Sequence, residues 1–464
     1  MRLPPELLQA VSASGGGKIA LVVGAGCSLE APTAIPTAEV CSQECHDRLV
    51  ANGFLSVGDC ATPSNLSSLA DAVVEKTGEQ RPLVEQLLQH YELKSASPND
   101  GHLLTAALLR EGAIASVVTL NFDLALSTAI GQLGVGDRVG VIDGPDDLDH
   151  LQTVVNVYYL HRNANAADLE RWILRSDAIK SEWKGKWQNV VAAKVLSTPI
   201  VVFVGLGSPA DVLIESTRLI QSAIPGGSKV FQIDPGEPEK SEFFKKLALD
   251  PTAFIQGTWC DFMAALSDRL VVEHTARLKI AADAIALRDG LPPEDLTALL
   301  TRLQDIGLLN VGRLRASWLI HKKDYLAEDL LSRELIADLL LAASFIARVT
   351  DTTAILFANG IVEFKRGDRI VAAHVFASGR GSRSRTAIES ELSSRYRRFR
   401  GLSSQPSGVI VAGISDNGGV PITPPADVLI GDPSESIVLG ASVLPIFLVG
   451  SLRQAPARCK EVAP

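Results

Sequence analysis

The first half of the chain alternates short, unbroken apolar runs with longer mixed stretches. Residues 18–23, KIALVV, form the first run, and similar runs recur at 114–120, 154–160, 200–204 and 229–233. Continuous apolar runs of this length, rich in β-branched residues, are the pattern of strands buried on both faces. Helical stretches lie between them, at 37–49, 68–76, 101–110, 124–133 and 209–224. Strands alternating with helices predict a doubly wound, mostly parallel, Rossmann-like α/β sheet over about 1–275, with helical insertions at about 37–112.

The pattern then changes. Residues 262–347 read as almost wholly helical, with PPEDLTALLTRLQDIGLL opening a helix at its Pro-Pro-Glu-Asp start. From about 353, β-like runs return as AILFA, IVEFK, RIVAAHVFA, GVIVAGI and SIVLGASVLPIFLVG, and the tripeptide ANG at 358–360 signals a hairpin. This predicts a boundary near 275 and a second α+β domain over 276–464. The apolar run 437–452 is broken by Pro445 and is shorter than the roughly 20 residues of a membrane span. It reads as a buried strand–turn–strand.

Composition narrows the picture further. The chain has 464 residues, 46% of them hydrophobic and 21% charged, with a net charge of −9. That charge argues against bulk capture of nucleic acid while leaving local basic patches open. Six cysteines, Cys27, Cys41, Cys45, Cys60, Cys260 and Cys459, show no C-x-x-C spacing, so neither a disulfide framework nor a zinc site is suggested. The N-terminal MRLPPELLQAVSASGGGK lacks the apolar core of a signal peptide, and a cytoplasmic location is the expectation.

Candidate chemistry gathers just past the predicted strands. The first ends in Gly24-Ala25-Gly26, followed by Ser28 and then Ile35-Pro36. Glycines there let backbone approach a pyrophosphate, with N–H donors expected from a following helix N-terminus; a plain tight corner is the alternative. The second strand ends at Asn121-Phe122-Asp123, another at His161-Arg162, and another at Gly205-Leu206-Gly207-Ser208 with Asp211 beyond. In a doubly wound sheet these ends share one edge, where the ligand crevice lies.

With G-A-G-x-S, I-P, N-x-D, a strand-end His and G-x-G-S in this order, residues 15–270 resemble the sirtuin superfamily of NAD-consuming enzymes. Two departures matter. No cysteine lies between Cys60 and Cys260, so the paired C-x-x-C zinc module of the deacylases is missing, and the usual His-Gly reads His161-Arg162. The closer resemblance is to bacterial sirtuin-like NAD hydrolases of antiphage defence. It implies NAD as substrate, with no metal required. Asn121 would hold the attacking water and His161 would act as general base. Asp123 would support Asn121 and the ribose side of the pocket. Gly24, Ala25, Gly26 and Ser28 would bind the phosphates and adjoining ribose, with Ile35 and Pro36 beside them. Gly205, Gly207 and Ser208 would close over the adenosine side, and Asp234 would contact its ribose. Helix capping is the competing role for Asn121 and Asp123, and turn initiation for Asp234.

The second unit carries a rival signal. Glu363-Phe364-Lys365, with Asp351 upstream, mimics the D…E-x-K layout of metal-dependent nucleases, although E-x-K on a solvated strand also arises by chance. Seven arginines lie between Arg380 and Arg400, with Tyr396 and Phe399 among them, a pattern suited to nucleic acid or to a solvent-facing helix. The defence resemblance implies a gated enzyme that forms a homo-oligomer and partners a HerA-like ring ATPase. A nuclease, or a non-catalytic nucleotide-sensing subunit, remains the alternative.

Overall fold

The computed structural model describes residues 1–12, 17–147, 155–175, 186–206, 211–223, 226–318, 330–377, 408–412, 436–439, 442–448 and 456–462. The chain divides into two compact units, Met1–Arg269 and Leu270–Pro464.

Unit one is built on seven parallel strands: β1 (Ile19–Val23), β2 (Ile114–Thr119), β3 (Val139–Ile142), β4 (Val155–Tyr159), β5 (Ile200–Val204), β6 (Lys229–Asp234) and β7 (Phe254–Gln256). Their spatial order is β3-β4-β2-β1-β5-β6-β7, and every neighbouring pair is parallel. β1 and β5 are buried at every residue, which is why both read as unbroken apolar runs. On one face, α7 (Trp187–Leu196), α8 (Asp211–Ala223) and α9 (Glu242–Leu247) pack through Val191, Val195, Leu213, Ile214 and Phe243 against Val22, Val118, Phe203 and Val230. On the rest of the sheet, α1 (Pro5–Ser12) lies on β1 and α5 (Asp100–Arg110) on β2 and β3.

Between β1 and β5 the strand order reverses: β1 leads to β2 on one side, and β5 returns to β1's other flank. In doubly wound sheets, ligands bind outside the carboxyl ends of the strands at such a switch point. α2 (Ala38–Ala51), α3 (Leu66–Thr77) and α4 (Arg81–His90) form a separate small core through Cys41, Cys45, Leu49, Leu69, Val73, Leu83 and Leu87. Ile35, Leu124 and Trp172 belong to that core, and Phe122 packs against it. The helical layer is thereby tied to the loops that follow β1 and β2.

Unit two contains the second half of α10 (Trp259–Arg288), then α11 (Thr297–Trp318) and α12 (Leu330–Thr350), followed by six strands. These are β8 (Thr353–Leu356), β9 (Ile361–Arg366), β10 (Arg369–Ala377), β11 (Gly408–Ala412), β12 (Ser436–Leu439) and β13 (Ser442–Leu448), in the order β12-β13-β11-β10-β9-β8. β8, β9 and β10 are antiparallel, whereas β10–β11 and β11–β13 are parallel. The ANG hairpin is present: Gly360, at φ +88°, returns its N–H to the Phe357 carbonyl, and Trp318 Nε1 donates to the Gly360 carbonyl at 2.9 Å. Pro445 lies in β13 opposite Ser436 of β12, in the strand pair expected of that run. One expected start moves. The helix opens at Thr297 rather than at the prolines, because Asp295 Oδ1 accepts the Thr297 N–H and sets the first turn there. It also kinks at Gly307, whose φ of 73° and ψ of 164° are non-helical.

Candidate active site

Parallel pairing aligns the strand ends. Val23 is in register with Thr119 and Val204, and Thr119 with Tyr159. Asn121 and His161 each lie two residues past registered partners on adjacent strands. The Gly24 corner flanks Asn121 on its other side. Backbone bonds continue the alignment beyond the sheet: Leu120 N–H donates to the Val23 carbonyl and Leu160 N–H to the Thr119 carbonyl.

The glycine corner is shaped mainly by protein. Gly24 N–H donates to the Val204 carbonyl at 3.0 Å, and Gly26 N–H to the Gly205 carbonyl at 2.9 Å. A Cβ on Gly26 would sit 2.7 Å from Gly205 Cα, and one on Gly205, at φ +65°, would sit 2.6 Å from Cys27 N. The β1 and β5 loops thus touch through glycine on both sides. The Gly24 and Gly26 N–H groups are thus bonded to carbonyls at and just past the end of β5. The segment that follows is also a four-residue 3-10 turn, Ala25–Ser28, and the first α-helix after β1 begins only at Ala38.

At the floor of the corner three side chains form a chain of bonds. Asn121 Nδ2 donates to Ser28 Oγ at 3.2 Å, and Ser28 Oγ donates to Asp123 Oδ2 at 2.8 Å. Asp123 Oδ1 accepts the Ala125 N–H at 3.0 Å, so this carboxylate also caps the start of α6 (Ala125–Leu133). Ser28 and Asp123 are buried, whereas Asn121 keeps partial exposure. Burial pushes the Asp123 carboxyl above its ordinary range, opposed by the Ser28 hydroxyl, the Ala125 N–H and the Asn121 amide. With Nδ2 donating to Ser28, Asn121 Oδ1 remains an acceptor.

His161 follows β4 and stays partly exposed. Its surroundings hold the imidazole down to about 4 through burial, so the ring is neutral near pH 7. Its ring centroid is 6.2 Å from that of Phe122, which stacks on Trp172 at 4.5 Å and 3°. Ile35, buried and bonded through its N–H to the Ser28 carbonyl at 2.9 Å, joins the same apolar core as Trp172 and Leu124. Pro36 precedes Thr37, whose hydroxyl caps α2. The aromatic pair was not foreseen, since nothing local in the sequence marks Trp172 as a neighbour of Phe122. Asn99, fully buried, was also missed: its Nδ2 donates to the Cys27 carbonyl at 2.9 Å and its Oδ1 accepts the His102 N–H at the start of α5. The only local signal was its capping position.

The remaining expected residues divide. Ala25 lies in the corner turn, and Gly205 abuts it. Asp234 ends β6, two strands from β1, and its Oδ1 accepts the Gly236 N–H at 2.8 Å, the turn-forming role held open as its alternative. Gly207, Ser208 and the Arg380–Arg400 segment fall outside the described residues. Cys27 is buried, and burial pushes its thiol up, which suits packing rather than nucleophilic attack. In unit two, the Asp351 backbone is tied to Arg366, while Glu363 stands opposite Ile355 and Ala372. Among the described residues, no group of three or more His, Cys, Asp or Glu side chains is gathered as a metal site, and no helix is long and apolar enough to cross a membrane. A cavity of about 580 Å³ lined by Met1, Leu3, Leu8, Asp261, Ala264 and Asp268 includes none of the strand-end residues.

No protein-family model and no curated protein matches this chain. Among solved structures, a Sir2 homologue in complex with NAD matches 59% of this chain and 95% of its own, at 16% identity and a TM-score of 0.36. An ADP-ribose complex of a single-residue variant of a Sir2 homologue matches 58% and 96%, at 16% identity and a TM-score of 0.34. A structure on sirtuin substrate affinity matches 58% and 98%, at 17% identity and a TM-score of 0.32. Likeness of this degree decides nothing about chemistry, which has to come from the side chains.

Proposed function

We propose that unit one is an NAD+ glycohydrolase, converting NAD+ and water to nicotinamide, ADP-ribose and a proton. The observation that carries this reading is the Asn121–Ser28–Asp123 chain at the switch point. It fixes the partly exposed Asn121 amide beside a corner formed by glycine loops and one strand from a neutral imidazole. A side-chain carbonyl in that position can accept from a water and aim it at an anomeric carbon. An imidazole held near 4 is a weak base. It serves as an acceptor for a ribose hydroxyl or the water, and takes the proton once positive charge on the ribose, as nicotinamide departs, has made that proton acidic. Nicotinamide leaves as a neutral molecule from a cationic linkage, so orientation and electrostatics suffice without a metal.

The phosphates would meet the turn Ala25–Ser28 around Ala25 and Ser28, since the N–H groups of Gly24, Gly26 and Cys27 are committed to protein carbonyls. Gly205, Gly207 and Ser208 are proposed for the adenosine side. Domain roles follow: 1–275 hydrolyses NAD+, and 276–464 regulates it or binds a partner. An unregulated enzyme of this kind would exhaust its own cell's NAD+, so we assign it as a gated effector of antiphage defence. In that role it is a cytoplasmic homo-oligomer working with a HerA-like ring ATPase.

The test is incubation of purified protein with NAD+ and, separately, with plasmid and Mg2+, followed by chromatography and a gel. Nicotinamide and ADP-ribose from wild type but not from Asn121→Ala support the reading. NAD+ that stays intact while raising the melting temperature favours a nucleotide sensor instead. Plasmid cleavage lost in Glu363→Ala favours a nuclease.

A further inference from the structure

Arg162, directly after His161, stands in a left-handed conformation at φ +72°. A non-glycine residue holds that conformation only when its surroundings fix it. Its guanidinium crosses to the end of the neighbouring strand β3, where Nη1 donates to the Asp143 carbonyl at 2.7 Å. The crossing runs so close over Gly144 that a Cβ there would overlap Nη1. The contact is returned from the other side, because the Asn163 N–H reaches the Asp143 carboxylate. The β3 end is itself braced: Asp147 Oδ2 accepts the N–H groups of Asp143 at 2.8 Å and Gly144 at 3.1 Å. Two further bonds hold the segment around His161. Ile173 N–H donates to the His161 carbonyl at 3.2 Å, and Ala164 N–H donates to the Phe122 carbonyl at 2.8 Å, next to Asn121.

We infer that Arg162 and Gly144 form a lock between the β3 and β4 loops that positions His161 against Asn121. Arg162 is thus a positioning residue. Its guanidinium anchors the residue after His161 while Ile173 holds the carbonyl of the peptide that joins the two, and Gly144 is glycine so that the guanidinium can pass. Burial that holds the Asp143 carboxyl up to about 6 agrees with a loop end closed over by this contact. The inference rests on the proposed role of His161, and its test must separate the two.

Three variants do so. Arg162→Gly keeps the left-handed backbone without strain and removes the guanidinium. Gly144→Ala leaves Arg162 in place and evicts only the far end of a flexible side chain, so folding is spared. Arg162→Lys keeps a single donor. The readouts are kcat and KM for nicotinamide release, and the titration midpoint of the His161 ring by NMR with labelled histidine, assigned with His161→Asn. The lock predicts that Arg162→Gly and Gly144→Ala each lower kcat about tenfold with KM within about twofold. The double variant should fall no further than either single one, and Arg162→Lys should recover part of the loss. Both main variants should also raise the His161 midpoint by at least about one unit, as the ring gains water. Unchanged kcat together with an unchanged midpoint in both overturns the lock while leaving the hydrolase reading standing. If wild type cleaves no NAD+, the hydrolase reading falls, and the midpoint alone decides the lock.

Discussion

Ser28→Ala removes one oxygen that serves two partners. In the folded protein that hydroxyl is buried, donates to the Asp123 carboxylate at 2.8 Å and accepts from the Asn121 amide at 3.2 Å. A hydrogen bond to a charged group contributes about 1.5–3 kcal/mol, and a neutral one about 0.5–1.5. The variant should therefore lose about 2–4 kcal/mol at pH 7. The loss depends on pH, with a definite sign. Burial already raises Asp123, and Ser28 is the foremost group opposing that rise. Without it the carboxyl rises further, so the folded state binds more proton than the unfolded chain above the ordinary 3.8, and stability falls as pH climbs through that window. The destabilisation should be larger at pH 7 than at pH 4. Activity follows by a separate route: an Asn121 amide released from Ser28 loses alignment, and a penalty of about 1.4–2 kcal/mol lowers kcat about 10- to 30-fold. Urea unfolding at both pH values, with nicotinamide release at pH 7, measures both effects. A loss under about 0.5 kcal/mol, or a larger loss at pH 4 than at pH 7, would refute the reasoning.

Other consequences are as concrete. Gly205→Ala places a Cβ 2.6 Å from Cys27 N at φ +65°, whereas Gly53→Ala, at φ +78°, meets nothing within 4 Å. Chemical denaturation should find about 1 kcal/mol lost in Gly53→Ala and about 3 or more in Gly205→Ala, because only the second also forces two loops apart; equal losses would count against the glycine contact. Burial holds His102, His161 and His374 down to about 4. Between pH 6.5 and 4 the unfolded chain takes up protons at these sites that the folded chain refuses, so the melting temperature should fall on acidification through that window. A flat profile across that window would contradict their being held neutral in the fold. Phe122→Ala removes the ring stacked on Trp172, and circular dichroism melts should show a loss of about 3 kcal/mol, as for a large-to-small change in packed surroundings.

The parallel sheet was legible because burial on both faces leaves no polar residue in β1 or β5, and that signal survives without tertiary context. Strand-end chemistry was legible for a related reason. Asn121, Asp123 and His161 follow directly on apolar runs, and parallel pairing then forces them to one edge. What stayed hidden is non-local. Gly24 and Gly26 lie against Gly205, some 180 residues later, a contact that no local spacing encodes. The Arg162 contact with Asp143 and the Phe122–Trp172 stack depend on loops meeting across strands, which no spacing in the sequence encodes. Thr297 was missed as a helix start because two prolines offered a stronger local signal than the Asp295 cap.

The central claim is that one sugar ring lies between Asn121 and His161 beside the Gly24–Gly26 corner. A crystal structure of Asn121→Ala bound to NAD+ tests it most directly. The account predicts the nicotinamide ribose at that corner, with a water or open space about 3–3.5 Å from its anomeric carbon on the side of residue 121 and a ribose hydroxyl in reach of the His161 ring. A nicotinamide ribose directed away from both residues, or NAD+ bound elsewhere on the chain, would contradict it.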